Sequence, residues 1–179
     1  MTDNLLNDDA IAKIPVFRGL NAGECHHLLE IAREKSFRPG ERVLVQGKSS
    51  QYLWIVIEGQ CEVVRDTPHD GPLVLAELGP HSLFGEMSFY SPAPHSANVV
   101  AKTPVRLLSI ARADYDDLIR DNVPAVYKLA YNIIEGVVAK LRHMDERLVD
   151  MAAEQEGPDA NHRAEWRRFR EQLFGGVHL

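Results

Sequence analysis

The sequence predicts a mainly β domain flanked by helices, with a long helix at its C-terminal side. Three observations lead there. Between Phe37 and Ile110, short apolar runs alternate with glycine-bearing turns. Helical periodicity precedes this region. From Pro124 onward an apolar repeat is sustained at alternating spacings of three and four residues. Regularly spaced short strands with turn signals indicate a β-sandwich or barrel.

Residues 5–35 read as helices. Leu5, Leu6, Ile11 and Ile14 precede Pro15, and Asn21 opens a second segment with Leu28, Leu29, Ile31 and Ala32 on one face. The strand candidates are 43–45, 52–57, 61–64, 73–78, 98–101 and 105–110. Arg38-Pro39-Gly40, Gln46-Gly47, Glu58-Gly59-Gln60, His69-Asp70-Gly71-Pro72 and Leu78-Gly79-Pro80 separate them, with glycine supplying the positive φ that tight turns need. Residues 113–119 read as a short helix with acidic residues in its first turn. A long helix begins near Pro124, a good first-turn residue, and runs to about Glu156, where Gly157-Pro158 stops it.

Within that helix Tyr127, Ala130, Ile134, Val137, Leu141, Met144, Leu148 and Met151 form a heptad seam. In the same frame Lys140 falls at g and Asp145 at the following e. Ile133 and Val138 widen the apolar face, so the first half is suited both to the domain and to a second copy. The expectation is a homodimer through this helix.

Composition bounds the function. The 179 residues carry a formal net charge of −6, which argues against coating nucleic acid by bulk charge. Met1 to Ala10 is acidic and polar, unlike a signal peptide, and no apolar run is long enough for a membrane span. A cytoplasmic protein is expected. Cys25 and Cys61 lie outside any CxxC pattern and read as small buried hydrophobes. The eight histidines are scattered, and the His26-His27 pair reads as surface. No constellation supports catalysis, so no enzyme and no metal site are expected.

One motif stands apart. Phe84-Gly85-Glu86-Met87-Ser88 is followed by His95-Ser96-Ala97-Asn98-Val99, with Pro94 just before. This resembles the phosphate-binding cassette of cyclic nucleotide-binding domains, the sensor module of the catabolite activator family and of cyclic-nucleotide-dependent kinases. Pro39-Gly40-Glu41 and Glu58-Gly59 resemble that family's β-roll turns. The resemblance implies a double-stranded β-helix, a jelly-roll-like β-roll, with N-terminal helices and a long C-terminal dimerisation helix. The domain would span residues 10–156, followed by a short tail helix in 157–179.

The resemblance implies a ligand site of Phe84, Gly85, Glu86, Met87, His95, Ser96 and Ala97, and a cyclic nucleotide, cAMP or cGMP, as ligand. Glu86 would meet a sugar hydroxyl, and the amides around Ser96 and Ala97 would face the phosphate. Where the family has arginine, this chain has His95, which lacks a permanent charge and a planar fork. Losing a charge-assisted bond costs about 1.5–3 kcal/mol. Three readings stay open: an empty cassette with a structural role, a different small ligand, or weak binding of a cyclic nucleotide. Arg42, Arg65 and Arg106 are candidates to replace the lost charge. Val137 to Leu141 shows no Thr-Ser pair of the kind that contacts the base in bacterial members.

The residues after Gly157 are too few for a helix-turn-helix domain, so DNA binding by this chain alone is not expected. Trp166, Phe169 and Leu173 fall at helical spacing among Arg163, Arg167, Arg168 and Arg170, which suits a helix docked on the domain, its mate or a partner. The leading reading is a stand-alone regulatory sensor signalling through its dimer helix to an unknown partner. The alternative is a ligand-free scaffold whose tail docks a partner protein.

Overall fold

A computed structural model describes residues 11, 13–68 and 71–154, with side chains through Arg147. The expectations for Leu5, Leu6, Leu148, Met151 and the tail helix lie outside the described residues. The chain divides into two compact units, residues 1–135 and 136–179.

In the first unit a 3₁₀ turn at Pro15–Phe17 leads to helix α1, Ala22–Ile31. Asn21 caps it reciprocally. Its side chain accepts from the Glu24 amide at 2.9 Å, and the Glu24 carboxylate accepts from the Asn21 amide at 2.8 Å. Eight strands follow: β1 Ala32–Phe37, β2 Arg42–Leu44, β3 Tyr52–Glu58, β4 Cys61–Thr67, β5 Gly71–Leu78, β6 Leu83–Phe84, β7 Asn98–Ala101 and β8 Val105–Ala111. Helix α2, Glu86–Tyr90, sits between β6 and β7, and α3, Arg112–Arg120, follows β8. The last element, α4, runs over Pro124–Glu154 with proline in its first turn.

The strands form two antiparallel four-stranded sheets, in the orders β1-β8-β3-β6 and β2-β7-β4-β5. This is the expected β-roll with flanking helices. Its interior holds Leu44, Trp54, Val56, Cys61, Phe84, Val99, Ala101, Val105 and Leu107. The alternate residues Leu53, Ile55, Leu108 and Ile110 point the other way and are also buried. The first sheet is therefore covered on both faces, with α2 resting on β3 and α3 on β8. That is why β3 reads as the unbroken apolar run Leu53-Trp54-Ile55-Val56.

Gly59 closes the β3–β4 turn at φ 83°, where an added Cβ would stand 2.2 Å from the Pro104 carbonyl oxygen. Glycine is needed there for its backbone and for its missing side chain.

One expectation changes. The helical reading to residue 35 stops at Ile31, and Ala32–Phe37 is a strand paired with β8 from Ala32↔Ile110 to Phe37↔Val105. Arg33-Glu34-Lys35 favours helix locally. As an edge strand, however, β1 needs only its backbone ladder to β8, and its polar side chains stay in solvent.

Among the described residues no helix is long and apolar enough to cross a membrane, and no group of three or more His, Cys, Asp or Glu could hold a metal ion. Cys61 is buried in the roll interior, where desolvation pushes its thiol pKa up, and Cys25 is half-buried. His26 and His27 are exposed beside Glu30.

Candidate functional site: the turn around α2

The short pairing of β6 with β3, Trp54↔Phe84 and Ile55↔Leu83, delivers the chain to Gly85. Phe84 turns into the roll and stacks on Trp54 with ring centroids 6.1 Å apart. Gly85 adopts the left-handed φ of 84°, and a Cβ here would lie 2.5 Å from the Tyr52 carbonyl oxygen. The turn is thus pressed directly onto the start of β3. Glu86, half-buried, begins α2. Met87 is 73% exposed and points away, whereas Ser88 and Phe89 are buried.

The return segment is pinned to the loop after β2. The His95 amide donates to the Lys48 carbonyl at 2.8 Å, and the Gly47 amide donates to the His95 carbonyl at 2.9 Å. The His95 ring is buried, 8% exposed. Its Nε2 lies 2.8 Å from Ser50 Oγ and its Nδ1 3.2 Å from Ser88 Oγ. Burial pushes the imidazole pKa down from its usual 6.5. The next residue, Ser96, is exposed and Ala97 is buried. Their backbone amides carry no hydrogen bond to the described residues. Asn98 then anchors β7, accepting from the Gln46 amide at 3.0 Å and donating to Asp66 Oδ2 at 3.0 Å. Outside this turn Ser49, Ser50, Gln51, Pro92, Ala93 and Pro94 line a cleft of about 370 Å³.

A second cluster joins the turn to the helices. Phe89 and Tyr90 meet Tyr115 edge-on, and the Arg112 guanidinium lies over all three rings. Arg112 Nη1 donates to the Phe89 carbonyl at 2.9 Å, and its Nε lies 2.7 Å from Asp116. The Tyr115 hydroxyl donates to the Val126 carbonyl at 3.0 Å. Burial raises the phenol pKa values of Tyr90 and Tyr115, Tyr90 the further, so both stay neutral.

Of the expected site residues, Gly85 and Glu86 open α2, which meets His95 through Ser88; Phe84 is buried in the roll on Trp54, Ser96 and Met87 are exposed, and Ala97 is buried. Of the three arginines considered as substitutes, Arg106 pairs instead with Glu34 at 3.1 Å and Glu58 at 3.6 Å, while Arg42 and Arg65 are exposed. Sequence reasoning missed Ser50, Ser88 and Arg112. Ser88 carried a weak signal, as a polar residue on the inward face of a short helix. Ser50, in a polar loop, carried none.

The β-roll thus carries a left-handed Gly85-Glu86 turn whose helix is tied to the return segment through Ser88 and His95. Residues 34–122 match the model of the cyclic nucleotide-binding domain, and the chain belongs to that family. It is 34% identical over 75% of its length to the "Cyclic AMP receptor protein" of Thermus thermophilus, matching 60% of that protein. It is 24% identical over 80% of its length to the "CRP-like cAMP-activated global transcriptional regulator" of Mycobacterium tuberculosis, matching 62% of it. The chain thus spans about three fifths of the length of these curated relatives. A solved cyclic nucleotide-binding domain from Methylobacillus flagellatus superposes with a TM-score of 0.73 at 22% identity, covering 80% of this chain and 83% of that one, which shows the fold. The relatives named here are a receptor and a regulator.

Proposed function

We propose that this chain is a cytoplasmic, non-enzymatic sensor module that binds a small phosphate-bearing ligand, a cyclic nucleotide first among them. In this reading it signals through α4 to a second copy and a partner protein. The ligand would sit against Gly85 and Glu86, with its anionic end at the Ser96 and Ala97 amides. The two amides suit such a ligand, since no hydrogen bond among the described residues occupies them. The names of the relatives, a cAMP receptor and a cAMP-activated regulator, support the ligand class.

The observation that carries the signalling half is the ring cluster. A displacement of α2 moves Phe89 and Tyr90 against Tyr115, whose hydroxyl is bonded to the backbone of α4 at Val126. Two packed elements and one hydrogen bond therefore separate the cassette from the long helix.

The first part of α4 supports self-association. Ala125, Val126, Leu129 and Ile133 are buried against the domain, whereas Tyr127, Tyr131 and Ile134 stay more than half exposed. Further along, Leu141 and Met144 are also more than half exposed, and Val137 is half-buried. A helix with a satisfied inner face and a second apolar stripe at heptad spacing suits a seam between two copies.

Tyr115→Phe tests the coupling. It removes the hydroxyl's bond to Val126, about 1 kcal/mol, together with its 3.5 Å contact to the Tyr90 hydroxyl, and leaves Gly85, Glu86, Ser96 and Ala97 in place. Affinity for cyclic AMP should persist, while the ligand-induced change in hydrogen exchange over residues 124–135 should shrink. An undiminished response would show that the signal does not pass through Tyr115.

A second reading, the ligand-free scaffold, is favoured by one observation. Both ring nitrogens of His95 already have partners inside the protein. Calorimetric titration with cyclic AMP and cyclic GMP separates the two readings. Saturable heat supports the sensor, and its absence from a folded protein supports the scaffold.

A further inference from the structure

His95 links three pieces of chain: its own return segment, the loop carrying Ser50, and α2 carrying Ser88. The bond pattern assigns its tautomer. Ser88 Oγ has one proton and also lies 3.3 Å from the Gly85 carbonyl, which can only accept. All groups are satisfied when Ser88 O–H donates to Gly85, His95 Nδ1–H donates to Ser88, and Ser50 O–H donates to Nε2. The imidazole is then neutral, and its acceptor nitrogen is occupied by Ser50.

A second proton on Nε2 would face the Ser50 hydroxyl proton and force that hydroxyl to turn. It would also place a cation in a niche that is 92% buried (8% exposed). Lys48 on the loop, Glu86 on α2, and Arg112 with its partner Asp116 on α3 are charged residues of the neighbouring elements. The hydrogen bonds of the ring are to the two hydroxyls. Burial disfavours imidazolium and holds the pKa below 6.5.

We propose that His95 is a proton-dependent latch on the cassette. Neutral, it ties the Ser50 loop to α2 and withholds its ring from any ligand. Protonated, it leaves Ser50 and Ser88 and turns toward a phosphodiester anion held at the Ser96 and Ala97 amides. Binding of that anion therefore takes up a proton. This rests on the proposed ligand site and adds its regulation.

The sign follows from linkage. A histidine whose latched pKa lies below 6.5 and whose anion-paired pKa lies above it binds a proton when the ligand binds, within that window. Affinity rises as pH falls through the window, by up to about tenfold per pH unit.

The test is calorimetric titration of the full chain with cyclic AMP between about pH 5.5 and about pH 8, in two buffers of different ionisation enthalpy, which reads proton uptake. Wild type should tighten toward acid and take up close to one proton per ligand. His95→Arg should bind with a flat pH profile and no uptake. Ser50→Ala with Ser88→Ala, which frees the ring, should tighten binding at neutral pH. Binding by wild type with a flat profile and no uptake overturns the latch and leaves the ligand site standing. Binding by His95→Arg alone also overturns it, because the histidine then closes the site at every pH. No binding by either folded protein overturns the ligand site and the latch together.

Discussion

Gly85→Ala is expected to destabilise the domain by about 2–5 kcal/mol, through backbone strain and a steric clash together. At φ 84° an alanine is strained whatever surrounds it, and its Cβ would meet the Tyr52 carbonyl at 2.5 Å and Trp54 Cδ1 at 3.2 Å. The first of these is backbone in a strand whose following residues, Leu53 to Val56, are buried, so it cannot yield cheaply. A domain of ordinary stability, about 5–15 kcal/mol, would lose a large share. Gly40→Ala is the control. It has a φ of 86° and nothing within 4 Å, so it reports the backbone strain alone. Urea denaturation of both variants separates the two contributions. If they unfold at the same midpoint, the turn is not held rigidly against β3.

Ile134→Asp combined with Leu141→Asp is expected to convert a dimer into a folded monomer. Both side chains are more than half exposed, at 60% and 55%, so neither change opens a cavity in the domain. In a seam each would be buried at about 1.5–3 kcal/mol, and each occurs in both copies. The summed loss exceeds about 4 kcal/mol, a weakening of at least about a thousandfold. Sedimentation velocity reads the mass, and thermal denaturation at low concentration checks that the domain is intact. A double variant that still sediments as a dimer places the contact elsewhere. A wild-type chain that sediments as a monomer rules out the α4 seam under those conditions.

Much of this architecture is legible in local sequence because its signals are local. The capping box at Asn21 and Glu24 lies within one helical turn. Gly59 and Gly85 announce turns through the φ they adopt. The two apolar faces of α4 follow from helical geometry, with Leu129 and Ile133 on one side and Ile134 and Leu141 on the other. β1 was not legible, because Arg33-Glu34-Lys35 has helical propensity and its strand state comes from the ladder with β8.

The cassette shows the same division at finer scale. Gly-Glu and Ser-Ala at their spacing identify the family without the structure. The direction in which His95 points does not follow from that motif. It depends on Ser50, brought from a distant loop by the pairing of Gly47 and Lys48 with His95, and on Ser88 facing inward from α2. By itself the sequence determined a β domain of short strands and the long helix, because turn chemistry and hydrophobic periodicity act over a few residues, and its motif resemblance determined the family. Only the tertiary structure decided that His95 lies buried between two hydroxyls. Hydrogen-bond pairing across the fold and desolvation have no period along the chain.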